Sequence, residues 1–129
     1  KLFLSKNPVG FNESLKTILD LGAKTIVLIL NDRIPDGRDV SWIWDVDFEI
    51  IPEDVSILVC GDRVYDMALR IKYSNDKSIP RKNLFIEPTV EKVIQKGLDG
   101  LDTRQTLYIL PTYSAMLEVR KILTGKKIL

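Results

Sequence analysis

Two apolar patterns alternate along this chain. The first is short and unbroken, at residues 2–4 (LFL), 25–30 (TIVLIL), 57–60 (ILVC), 84–86 (LFI) and 107–110 (LYIL). Runs of that length suit strands, and continuous apolar character suits strands covered on both faces. The second pattern has helical spacing. Phe11, Leu15, Ile18 and Leu19 precede a helix stop at Gly22; Val64, Met67, Ala68 and Ile71 follow the third run. Thr89 is placed to cap a helix bearing Val90, Val93, Ile94 and Leu98, and Ala115, Met116, Val119, Ile122 and Leu123 form the buried side of the last helix. Lys126 and Lys127 then fall near the negative end of its dipole.

The alternation predicts an α/β domain with a mainly parallel sheet of five or six strands and helices on both faces. Residues 25–30 and 57–60 are the predicted central strands. In such sheets functional groups collect in the loops at the carboxyl ends of the strands. Those loops are residues 5–10, 31–44, 61–63, 87–89 and 111–113.

The segment after the second run is long and gathers both tryptophans, Trp42 and Trp44, among Asp36, Asp39, Asp45 and Arg38. It admits two readings. In one, Pro35-Asp36-Gly37 is a turn, Asp39 caps a short helix and the tryptophans pack beneath. In the other, exposed Trp and Arg anchor a partner and a carboxylate serves chemistry. A metal site from Asp36, Asp39 and Asp45 lacks calcium-loop spacing. Elsewhere, Lys6-Asn7-Pro8 reads as a strand-ending turn that also offers an ammonium and an amide. Gly61-Asp62 reads as a glycine turn with an aspartate cap, and Arg63 and Arg70 read as surface charges.

Composition narrows the chemistry. The 129 residues are 45% apolar and 29% charged, in keeping with one folded domain. Nineteen basic against eighteen acidic residues give no electrostatic reason to expect nucleic acid. No apolar run reaches bilayer length, so no transmembrane segment is expected. The lone Cys60 ends an apolar run, as expected of a buried thiol in a reducing compartment. There is no histidine, so the chain builds no Ser-His or Cys-His pair by itself. Neither a phosphate-cradling G-x-x-x-x-G-K-[ST] loop nor a G-x-G-x-x-G turn occurs. A complete catalytic cycle is therefore not expected from this chain alone.

Four stretches carry a resemblance to a known family: residues 6–13 (KNPVGFNE), 36–45 (DGRDVSWIWD), 61–70 (GDRVYDMALR) and 110–117 (LPTYSAML). In that order the chain resembles the C-terminal domain of MurT, the Mur-ligase-like subunit of lipid II isoglutaminyl synthase, over essentially its whole length. The resemblance implies a three-layer Rossmann-like domain spanning residues 1–129 of a longer, cytoplasmic chain. It implies a GatD-like glutamine amidotransferase partner and amidation of D-glutamate in lipid II, using ATP and magnesium held mostly by another domain. It also implies an aspartate donated to the partner's Cys-His site. That role is carried over to Asp39, with Asp36 and Asp45 in the same motif as alternatives. Asp36, Arg38 and Trp42 are the implied partner-facing residues, and Lys6, Asn7 and Asn12 the implied nucleotide contacts. The family pattern leads one to expect Thr where this chain has Ser114. Its first loop also departs from the sequence with which ordinary Mur ligases touch nucleotide.

Overall fold

A computed structural model describes residues 1–75 and 80–125; Lys126 and Lys127 lie outside the described residues. Among the described residues four parallel strands form one sheet: β1 (Thr25–Ile29), β2 (Ser56–Cys60), β3 (Leu84–Ile86) and β4 (Tyr108–Pro111), in the order β3-β2-β1-β4. The two predicted central strands are central. The helices are α1 (Pro8–Asp20), α2 (Val64–Lys72), α3 (Val90–Asp99) and α4 (Tyr113–Thr124).

Strand alternation divides the core into two layers. Ile26, Leu28, Ile57 and Val59 face α1 and α2 through Phe11, Leu15, Ile18, Met67 and Ile71. Val27, Ile29, Leu58 and Cys60 face α3 and α4 through Val93, Ile94, Ala115 and Val119. Every residue of β1 is buried, which is why its sequence is continuously apolar rather than alternating. The result is a three-layer α/β domain of the Rossmann-like kind. No helix among the described residues is long and apolar enough to cross a membrane.

Several local expectations change. Residues 2–4 do not form a full fifth strand. Leu2 makes an isolated parallel bridge to Ile109, and the amides of Phe3 and Ser5 donate to Ile109 and Pro111, each at 2.9 Å. Pro111 has no N–H to return, and α1 begins at Pro8, so the ladder cannot lengthen. Leu98 and Leu123 are about half exposed, at 48% and 54%, because they border an open groove between α3 and α4 instead of the sheet. Thr89 caps α3 through the amide of Lys92, as predicted. Asp62 is no cap: α2 begins after Arg63 without a side-chain cap, and Asp62 pairs with Arg33.

Candidate functional site

The chain leaving β1 does not wander. It passes through three short 3-10 turns, Ile34–Asp36, Ser41–Asp45 and Phe48–Ile50, while Val40, Ile43, Val46, Phe48 and Ile51 plunge into the core. A residue read from sequence as a surface charge organises this path. Arg70 on α2 is only 3% exposed. Its guanidinium donates to the carbonyls of Ile43 (3.1 Å) and Val46 (2.6 Å) and to the carboxylate of Glu49 (2.7 Å). The same group lies over the rings of Trp44 and Phe48, 5.4 and 5.1 Å from their centroids. A planar donor fork explains why arginine serves here, since it satisfies three acceptors while stacking on rings.

The three aspartates of the motif are placed differently. Asp36 points inward, toward the start of α4. Its carboxylate accepts from the Ser114 amide (2.8 Å), the Ser114 hydroxyl (2.5 Å) and the Arg33 amide (3.1 Å). Asn31 joins this lattice by donating to the Ser114 hydroxyl (3.0 Å) and accepting from the Asp62 amide (2.9 Å). Arg33 spans Asp62 (3.0 Å) and Glu118 (3.1 Å). The loops following β1, β2 and β4 are thereby tied together at the carboxyl end of the sheet.

Asp39 points outward. It is exposed, and its carboxylate accepts from the backbone amide of Ser41 at 2.9 Å. That bond holds its pKa below the ordinary aspartate value, with smaller contributions from the Ser41 side chain and the more distant Arg63. Asp39 is not the cap of the following turn, which takes Val40 as its boundary residue and has no side-chain cap; its bond to the Ser41 amide is a local loop contact. Asp39 borders a shallow pocket of about 230 Å³ with Arg38, Trp44, Arg63 and Asp66. Arg63 is held on the pocket wall by Asp66 (2.7 Å) and Asp32 (3.2 Å), which raise its pKa. Asp45, also exposed, closes the Ser41–Asp45 turn. Among the described residues there is no group of three or more His, Cys, Asp or Glu placed to hold a metal.

The two tryptophans divide their tasks. Trp42 packs against the core, its ring 6.1 Å from that of Phe11, and Phe11 in turn meets Phe48 edge-on at 5.1 Å. Trp44 is 52% exposed, has the Arg70 guanidinium over its ring and lines the Asp39 pocket. Lys6 and Asn7 precede α1 and Asn12 lies in its second turn; none of the three lines the Asp39 pocket. Asn7 caps that helix through the Gly10 amide (2.8 Å), and Asn12 accepts from the Asp47 amide (2.8 Å). The carbonyl oxygens of both asparagines are thus occupied; Lys6 and Asn7 are exposed and Asn12 is half-buried. A surface hollow of about 890 Å³ between α3 and α4 is lined by none of these residues.

The family model for the MurT ligase C-terminal domain matches residues 4–116. The chain belongs to that family. Among relatives, a Streptococcus pneumoniae protein, the MurT subunit of lipid II isoglutaminyl synthase (glutamine-hydrolyzing), is 35% identical over 130 residues, covering 98% of this chain and 28% of the relative. The Staphylococcus aureus protein of the same name is 38% identical over 99 residues, covering 74% of this chain and 22% of that relative. The chain therefore spans about a quarter of the length of these MurT proteins. The MurT C-terminal match takes in the whole Asp39 loop, Arg70 and Ser114. From the sequence, Arg70 reads only as a surface charge and Ser114 only as a departure from the family pattern, and nothing marks Ser41. The available signal for Arg70 was its place between Leu69 and Ile71, on the flank of an apolar helix stripe.

Proposed function

We propose that this chain is the C-terminal domain of the ligase subunit of a glutamine-hydrolysing lipid II isoglutaminyl synthase. In that enzyme it docks a GatD-like amidotransferase in the cytoplasm and supplies Asp39 to the partner's Cys-His site. The observation that carries this reading is an exposed carboxylate fixed by a backbone amide on a well-packed loop, in a chain with no histidine of its own. Such a carboxylate has no internal imidazole to orient. Accepting the N–H of a partner imidazole, it fixes the tautomer whose other nitrogen takes the cysteine thiol proton. Asp36 is less suited, because both its oxygens already accept bonds within the chain.

ATP with magnesium, held mostly by another domain, supplies the phosphoryl group that activates the substrate carboxyl. The N-terminal end of α1 offers a one-sided contact to such a nucleotide, through Lys6 and the amide nitrogens of Asn7 and Asn12. This domain contributes a wall of the cleft rather than its phosphate cradle, and lipid II is met by the assembled enzyme.

Asp39→Asn in the full ligase–amidotransferase complex tests the role. Glutamine hydrolysis should fall by up to ~10⁴-fold, as for the orienting aspartate of serine triads. The complex should persist, and ammonium supplied directly should still be ligated. Hydrolysis within a few-fold of wild type would leave the loop a docking element only; loss on Asp45→Asn instead would move the role within the motif.

A further inference from the structure

We infer that Asp36 and Ser114 form a positioning clamp that holds the Asp39 loop in register for the partner's active site. The inference rests on the reading of Asp39 given above. The Asp39 carboxylate is bonded locally, to Ser41 two residues on, and downstream the chain is held by the buried Val40 and Ile43. What fixes the loop against the body of the domain, just upstream of Asp39, is the Asp36 carboxylate seated on the first turn of α4, 78 positions away in sequence. The clamp is fully engaged: Asp36 accepts from three donors, and the Ser114 hydroxyl both donates to Asp36 and accepts from Asn31. Gly37, with φ of 86°, then swings the chain outward so that Arg38 and Asp39 face solvent. The left-handed turn gives the chain its change of direction, and the clamp supplies the fixed point from which that direction is measured.

A carboxylate that orients an imidazole in another subunit must be placed to a fraction of an ångström, because small misplacements cost rate rather than binding. Releasing the clamp lets the Asp36–Asp39 segment move against α4. The consequence falls on the turnover of glutamine hydrolysis, with glutamine binding and the ligase's own chemistry left alone. Asp36 and Ser114 touch no reacting atom on this account and act through Asp39.

The test uses the full ligase–amidotransferase complex and compares Ser114→Ala, Ser114→Thr and Asp39→Asn. Ser114→Ala keeps the α4 amide but removes the hydroxyl. It should lower kcat for glutamine hydrolysis by about 10- to 100-fold, while KM for glutamine changes less than about two-fold. Ammonium-supported ligation and elution as a complex should hold. Ser114→Thr restores the hydroxyl and should restore kcat. Wild-type hydrolysis in Ser114→Ala beside an inactive Asp39→Asn would overturn the clamp and leave the Asp39 reading standing. Wild-type hydrolysis in both would overturn the two together. A rate loss in Ser114→Ala that tracks dissociation of the complex, or that Ser114→Thr does not repair, would also overturn the clamp. If Ser114→Ala loses ammonium-supported ligation as well, Asp36→Asn decides by the same measure: reduced kcat at constant KM supports the clamp, and wild-type kcat overturns it.

Discussion

Arg70 shows how far a single side chain can organise a loop whose own backbone makes no regular ladder. Three short hydrogen bonds and two ring faces surround one guanidinium, so that residues 43–49 rest on α2. Arg70→Met should lower stability by about 2–4 kcal/mol, because two buried carbonyls lose their donor and the pair with Glu49 is broken. Arg70→Lys should recover little, since one ammonium cannot reach three acceptors and stack as well. Chemical denaturation of the purified domain measures both; a shift within 0.5 kcal/mol for Arg70→Met, the range of about ±0.5 kcal/mol typical of exposed surface positions, would deny the role. Sequence could not reveal this arginine, because its partners are carbonyls contributed by a loop 21–27 positions away. Thr89, by contrast, was legible, because a cap and its amide lie three residues apart. At Asp39 the depressed pKa gives a second residue-scale expectation. Its folded titration midpoint should fall below 3.8. The stabilisation from its bonds is present above that value and is lost as pH falls through the folded midpoint. Carbon-detected NMR of the carboxyl should show the lowered midpoint, and Ser41→Ala should raise it part of the way while keeping the backbone donor. A midpoint at or above 3.8 in the wild-type chain would contradict this.

At the scale of elements, the central strands were readable because burial on both faces writes a continuous apolar run, with no polar face to interrupt it. The edges were less so. Residues 2–4 carry strand-like side chains, yet pairing is stopped by the missing N–H of Pro111, a property of the neighbour and not of the run itself. Leu98 and Leu123 fit a helical stripe, but a stripe cannot say where the opposing layer ends. Two glycines separate backbone freedom from close approach. At Gly37, φ is 86° with ψ 140° and an added Cβ would meet nothing within 4 Å, so Gly37→Ala should cost about 1–3 kcal/mol, the backbone strain of a positive φ alone. At Gly61, φ is 110° and the added Cβ would lie 2.4 Å from the Leu30 carbonyl oxygen. Gly61→Ala must therefore push apart the ends of β1 and β2, and it should cost several kcal/mol more, upwards of ~3. Thermal unfolding of the two variants side by side checks the order; equal losses would mean that the β1–β2 junction yields more easily than its geometry implies.

For the molecule as a whole, the question is which ends of the fold remain open to a phosphate. In open α/β sheets, nucleotide phosphates are gripped by backbone amides at helix starts. Here one such amide at each of three helix starts is taken by a side chain of the domain itself. The Gly10 amide of α1 donates to Asn7, the Lys92 amide of α3 to Thr89, and the Ser114 amide of α4 to Asp36. The start of α2 has no side-chain cap, but there the carboxylates of Asp32, Asp62 and Asp66 outnumber the guanidiniums of Arg33 and Arg63 that they pair with. An incoming triphosphate would have to displace a capping side chain or sit beside carboxylates, and either course is unfavourable. The isolated chain should therefore bind ATP-magnesium no tighter than the millimolar range, about −4 kcal/mol, through Lys6 and the α1 asparagine amides alone. Titration calorimetry on the isolated domain measures this directly, with Lys6→Ala as the control for the residual contact. Micromolar, magnesium-dependent binding would mean that a capping side chain gives way to phosphate, and the proposed division of labour between this domain and the rest of the ligase would fail. Weak binding that Lys6→Ala abolishes would place the nucleotide's edge at the start of α1, on a different loop from the Asp39 pocket, so that one domain serves the two half-reactions from separate loops.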